Sequence, residues 1–178
     1  LDFFQGDEND LVDRYYKCAK KFNFENIIRV TSDCPLMDPN LVDEGINKFL
    51  DEKCDYLTNS TGKFPHGVDF SIFTFSMLEK TWKNARLLSE KEHVIPYMEK
   101  KENKFNTIFL KNESDQSKFR ITLDWTEDLE LLRILVDKIK SRPILVHDVT
   151  TYLENNPNLL KINEGHHKEE GYLKSLKK

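Results

Sequence analysis

Apolar positions recur every three to four residues in some stretches of the chain and crowd into short β-branched runs in others, and the two patterns alternate. Over residues 11–22 the spacing places Leu11, Tyr15, Cys18 and Phe22 on one helical face, with Asp10 as N-cap. Residues 26–31, Asn-Ile-Ile-Arg-Val-Thr, read as a short buried strand. Asp38-Pro39 is an N-cap followed by proline at the first helical position, and Val42, Ile46, Phe49 and Leu50 continue the stripe. Residues 55–58 predict a second strand, 61–67 a loop and 68–73 a third strand. Helices are expected over 76–84 and 89–101, strands over 105–110 and 119–123. A helix over 126–140 follows, with Leu132, Leu135, Val136 and Ile139 on one face, then a last one over 147–155, stopped by Pro157. Alternating strands and helices imply an α/β layered fold with a mostly parallel sheet. There is no repeat, low-complexity tract or linker, so a single domain over 1–178 is the simplest organisation.

One stretch breaks the simple alternation. Between residues 68 and 75, Val68, Phe70, Ile72, Phe73 and Phe75 are apolar on both sides of the pleat. Either a helix of the same chain covers the second face, or the segment meets a second copy in a two-fold dimer.

Composition narrows the function classes. A net charge of −4 argues against a nucleic-acid backbone as main partner. No apolar run approaches the roughly 18 residues of a membrane helix, and the opening residues lack the order of a signal peptide. Cysteines at 18, 34 and 54 are odd in number and lack C-x-x-C spacing, so reduced thiols in the cytoplasm are expected rather than a disulfide framework or a zinc ribbon. The chain opens on Leu1 without a methionine and reads as a fragment.

Candidate chemistry sits at strand ends. Asp33, in Thr31-Ser32-Asp33-Cys34-Pro35, follows the strand over 26–31, at the sheet edge where open α/β sheets bind ligands. Its carboxylate is either a hard ligand for Mg²⁺ or a shaper of the turn. Asp124 repeats the arrangement after 119–123. It is either a second ligand or an N-cap paired with Glu127. Two strand-end aspartates far apart in sequence would converge on one metal. His66 and Asp69, around Gly67, are placed to bond a sugar hydroxyl or carboxylate, or simply belong to a glycine turn. Ser89-x-x-Glu92 reads as a capping box, which leaves His93 the residue of that stretch least explained by capping. No nucleophile elbow, zinc-protease motif or glycine-rich phosphate loop is present.

These segments, in this order, resemble the cytidylyltransferase family of CMP-KDO synthetase and acylneuraminate cytidylyltransferase, most of all its spore-coat-polysaccharide branch. Residues 5–15, from Gln5-Gly6-Asp7 to Asp13-Arg14-Tyr15, are similar to its segment of glycine, acidic residues, leucine, arginine and tyrosine. Arg29-Val30-Thr31-Ser32-Asp33-Cys34-Pro35-Leu36 is similar to its R-x-T-G-D-C-P-L motif, with Ser32 in place of the glycine. Pro65-His66-Gly67-Val68-Asp69, Glu92-His93-Val94 and the run from Thr122-Leu123-Asp124 to Glu127-Asp128-Leu129 match three further motifs, with Trp125 where the family has a smaller residue. The resemblance implies a three-layer α/β/α sandwich with a Rossmann-like sheet, as in the nucleotide-diphospho-sugar transferases. It implies transfer of CMP from CTP to an acidic sugar for surface polysaccharide, with pyrophosphate released. Asp33 and Asp124 would be catalytic and hold Mg²⁺. Arg29, Asn59, His66, Asp69, His93 and Arg120 would contact substrate. A homodimer is implied, built through the segment around residues 59–101. The family's N-terminal CTP-binding loop has no counterpart here, so the fragment alone is expected to be inactive. A glycosyltransferase of the related fold and a non-catalytic dimerisation module are the alternatives.

Overall fold

In a computed structural model, the structure describes residues 2–166, and three of its four strands run in the same direction with the fourth reversed among them. The sheet order is β1 (Asn26–Val30), β3 (Phe70–Thr74), β2 (Tyr56–Thr58), β4 (Thr107–Phe109). β3 is antiparallel to both neighbours, with Ile28 opposite Ile72 and Leu57 opposite Ile72, while β2 and β4 are parallel. The mostly parallel sheet is therefore parallel by strand direction, and two of its three pairings are antiparallel.

Helices cover both faces. α2 (Pro39–Glu52), α6 (Thr126–Lys138) and α7 (Val146–Asn155) bury Leu57, Phe70 and Ile72 together with Phe119 and Ile121. α1 (Leu11–Phe22), α3 (Phe75–Asn84) and the short α4 (Leu88–His93) and α5 (Ile95–Met98) bury Ile27, Tyr56 and Phe73. The result is a three-layer α/β/α sandwich. Phe70, Ile72 and Phe73 are each at most 2% exposed within the one chain. The apolar surplus of this segment is thus absorbed by the chain's own helices, and the reason it offered for a dimer is withdrawn.

Caps mark the helix starts as expected. Asp10 accepts from the amide of Asp13 at 3.0 Å. Asp38 accepts from Asn40 and Leu41, and its second oxygen takes the amide of Val146, so one carboxylate starts α2 and anchors α7. Four expectations are corrected. The buried face of α1 is Val12, Tyr16 and Ala19, one residue round from the expected stripe, because the helix packs on α3 and α4 as well as the sheet. The expected helix over 89–101 is broken into α4, α5 and a 3₁₀ turn at Lys101–Asn103. Val94, two before Pro96, sits at φ 67°, and the residue next to the proline ring resists a continuous helix. The cap there is Glu90, which accepts the amides of Arg86 and Leu87 and pairs with Lys100, in place of the Ser89–Glu92 box. Residues 119–123 make only one parallel bridge, between Arg120 and His66, because their partner is a three-residue stretch ahead of Gly67.

Candidate functional site

The loop after β1 and the segment before α6 are laced together by backbone bonds. The carbonyl of Asp33 accepts the amide of Leu123 at 2.8 Å and the Thr122 hydroxyl at 3.0 Å. The Asp33 backbone is thereby held against Thr122 and Leu123, the two residues before Asp124, although 89 positions separate Asp33 from Thr122. Gly67 closes the third side. His66 donates its amide to Phe119 and accepts from Ile121. At φ 111° the Gly67 backbone lies so near that an added Cβ would stand 2.4 Å from the amide nitrogen of Thr122. Only glycine permits that approach. The three motif loops therefore meet at one end of the sheet.

The carboxylates in this junction have different partners. Among the described residues, Asp33 has a single side-chain contact, the Cys34 thiol at 3.6 Å. It does not cap the turn, which is closed by the Cys34 amide to the Thr31 carbonyl. Burial pushes the Cys34 thiol up to about 11, and the nearby charges of Asp33 and Asp69 add to the effect against the Thr31 hydroxyl. Cys34 is therefore an inert thiol lying between two acidic groups. Asp69 accepts the amide of Gly67 at 3.3 Å.

Asp124 is not the cap of α6. Asp128 is: its Oδ2 takes the amides of Asp124 and Trp125 at 3.0 and 3.1 Å, in place of Glu127. Freed from capping, Asp124 pairs with Arg120 at 2.8 Å and remains partly exposed. Arg120 is the hub. It bonds both oxygens of Asp128 at 2.8 Å, and its remaining terminal nitrogen reaches His66 Nδ1 at 3.1 Å. Asn163 returns from beyond α7 to donate to Asp128 and to the carbonyl of Arg120. Burial would raise the carboxyl of Asp128, but Arg120, Asn163 and the capping amides outweigh it and bring it down to about 2.

The remaining sequence candidates fall in two groups. Asn59 is 1% exposed and spent on the backbone, donating to Val68 and accepting from Phe70 at 2.8 Å each. It holds the loop between β2 and β3 rather than presenting its amide to a ligand. Arg120, with its donors committed, positions His66 and Asp124. Arg29 lies instead on the α1 side of β1, in a cavity of about 400 Å³ bounded by Phe4, Leu11, Arg14, Tyr15 and the Thr31-Ser32 turn. His93 ends α4, which is tied to α1 by the Lys91–Asp10 pair. Sequence reasoning missed Asp128 as a cap, Arg14 as a cavity residue and Asn163 as a clamp. For Asp128 the signal was its spacing of three residues from Trp125, the N-cap of α6.

The metal reading can be weighed on these side chains. No group of three or more His, Cys, Asp or Glu residues close enough to hold an ion occurs among the described residues. A dedicated protein cage is therefore missing from them. Mg²⁺ does not need one, because it takes one or two carboxylates and completes its shell with water and substrate phosphate. Asp33, whose carboxylate no backbone amide occupies, and Asp124, exposed and freed from capping, fit that donor set. No described helix is long and apolar enough to cross a membrane.

Comparison with known proteins gives a consistent outcome. A family model described as "Cytidylyltransferase" matches residues 3–164. The solved structure of a cytidylyltransferase from Leptospira borgpetersenii superposes with a TM-score of 0.86 at 36% identity, covering 93% of this chain and 70% of that one. An uncharacterised protein of Methanocaldococcus jannaschii is 31% identical over 92% of this chain and 67% of its own length. The spore coat polysaccharide biosynthesis protein SpsF of Bacillus subtilis is 28% identical over 87% of this chain and 65% of its own length. The chain thus spans about two thirds of the length of the relatives it matches.

Proposed function

Because the chain belongs to the cytidylyltransferase family, we propose that it carries the metal and acceptor side of a reaction that moves CMP from CTP to an acidic sugar and releases pyrophosphate. One observation supports this reading above the others. The Asp33 carbonyl bonds to Leu123 and Thr122, which sets the turn carrying Asp33 beside the segment carrying Asp124, and among the described residues no backbone amide occupies either carboxylate.

In this reading Asp33 and Asp124 hold Mg²⁺. When bound, the ion offsets charge on the nucleotide phosphates and orients the attacking oxygen. The rest is the work of this chain's own side chains. Arg120 fixes the rotamer of Asp124 through one nitrogen and orients His66 through another. Its bond to Nδ1 makes that atom the acceptor, so in the neutral imidazole the proton sits on Nε2. His66 can then donate to a sugar oxygen, while Asp69, braced by the Gly67 amide, accepts from a sugar hydroxyl. Transfer to a sugar for surface polysaccharide follows the resemblance to the spore-coat branch.

The test is formation of a CMP-sugar. The full native protein, given CTP, Mg²⁺ and a panel of acidic sugars, should yield a CMP-sugar and pyrophosphate in equal amounts. Asp33→Asn and Asp124→Asn should each lower the rate by about a hundredfold or more. Pyrophosphate release that ignores both substitutions would sink the assignment of these residues. The resemblance also implies a homodimer, which sedimentation of the full native protein should report as twice the mass of one chain.

A further inference from the structure

Beyond α7 the chain turns through a 3₁₀ segment, Pro157–Lys161, and comes back to the start of α6. Ile162 packs against the core there, and the next four residues take hold of α6 at two points. Asn163, only 6% exposed, donates its side-chain amide to Asp128 Oδ1 at 2.8 Å and to the Arg120 carbonyl at 3.2 Å. His166 lies flat against Trp125, with ring centroids 5.0 Å apart and planes 9° from parallel. Its Nε2 is 3.7 Å from a carboxylate oxygen of Glu127. The segment also borders a cavity of about 430 Å³, so contacts at its two ends, rather than continuous packing, fix it in place.

What these grips control follows from the bonds of Asp128. Its Oδ2 takes the amides of Asp124 and Trp125 and one terminal nitrogen of Arg120. Its Oδ1 takes the Arg120 Nε and Asn163. Without Asn163, Oδ1 keeps one donor, and the carboxylate can turn about its short side chain. A turn there moves the two amides and Arg120 together, because members of a buried polar network shift as a unit. Arg120 in turn holds the carboxylate of Asp124 and orients His66. A change at Asn163 therefore reaches Asp124 twice, through its own amide and through the guanidinium that grips its side chain. Trp125 is the next residue, so the stack on His166 steadies the same stretch from its other side.

We propose that residues 163–166 form a positioning strap for Asp124, with Asn163 acting through Asp128 and Arg120 and His166 acting through Trp125. An anchor serving only to tie down the end of the chain has no need to grip beside Asp124. Asn163 spends both of its amide hydrogens on the two residues that fix Asp124. Displacing a coordinating group by about 1 Å is enough to lose most of its value to a site. The strap deepens the cytidylyl-transfer reading and rests on it for what Asp124 binds.

The test uses the full native protein, with Asn163→Ala, His166→Ala, His166→Phe and, as control, Glu164→Gln, whose side chain takes part in neither grip. Hydrogen exchange reads the geometry without metal or substrate. In Asn163→Ala the amides of Asp124 and Trp125 should exchange about tenfold faster or more, while those of β3 keep the parent's protection. Mn²⁺ binding in the presence of CTP, followed by electron paramagnetic resonance, reads the consequence. Asn163→Ala should weaken it by about tenfold and His166→Ala by about threefold. His166→Phe, which keeps the stack, and Glu164→Gln should stay near the parent. In CMP-sugar assays the half-saturating Mg²⁺ should rise with the same ranking. Three results would overturn the strap: exchange that quickens equally in β3, Mn²⁺ affinity unchanged in both alanine variants, or His166→Phe as impaired as His166→Ala. Exchange and Mn²⁺ binding that respond in a protein making no CMP-sugar would keep the strap and remove the transfer reading. CMP-sugar formation with exchange and metal affinity indifferent to both alanine substitutions would do the reverse.

Discussion

Arg120 and Arg29 are the same residue type in opposite situations. Arg120 is locked between Asp128, Asp124 and His66, while Arg29 keeps a buried Nε without an acceptor. The first is a polar network completed by the fold, and such a network rigidifies what it touches. The second is a network left open at one end. The contrast separates two situations that look alike in sequence: an arginine whose bonds to Asp128, Asp124 and His66 hold a site in shape, and one whose buried Nε has no acceptor among the described residues.

Stability measurements should split along this line. Asp128→Ala would strand Arg120 and Asn163 and remove the α6 cap, a loss expected to exceed about 3 kcal/mol in urea unfolding. A loss under about 1 kcal/mol would show that the hub is not what holds this end of the sheet. Gly67→Ala forces a side chain against the backbone of Ile121 and Thr122 at a φ that favours glycine. It should cost roughly 2 kcal/mol or more, and activity should fall with it as the motif loops part.

Acid should act on the same hub. The folded carboxyl of Asp128 titrates near 2, below its ordinary value of 3.8. The group therefore contributes stability above the unfolded value that is lost as pH falls through the folded one. About 2 kcal/mol should disappear between roughly pH 4 and pH 2, and Asp128→Asn should flatten that part of the stability profile. A profile equally steep in the variant would place the acid sensitivity elsewhere. At the small end, Arg14→Gln and Arg29→Gln should change stability by no more than about 0.5 kcal/mol, or raise it, because no protein partner is lost. A loss above about 1 kcal/mol at either position would place that guanidinium on the structural side of the comparison.

How far the sequence foretold this molecule follows the range of each interaction. The starts of α1 and α2 were legible because Asp10 and Asp38 bond amides two or three residues away. The reversal of β3 was not, because an alternating apolar run carries no direction. The break at Val94 could have been read from Pro96, but the apolar spacing on either side of it hid the stop. At the site, the aspartates at 33 and 124 stood out by position and motif. The division of labour around them did not. That Asp128 rather than Glu127 caps α6 turns on Arg120 lying above it. That Asn59 is spent on Val68 and Phe70 turns on how the loop between β2 and β3 folds back. The cavity arginines became visible only once α1 was laid against β1.

The most direct measurement is a double-mutant cycle on the full native enzyme, scoring CMP-sugar formation for Asp33→Asn, Asp124→Asn and the pair. Residues that serve one metal–nucleotide site act as a unit, so the double variant should lose little more than the worse single one. Losses that multiply would mean that Asp33 and Asp124 work independently and would contradict the shared site.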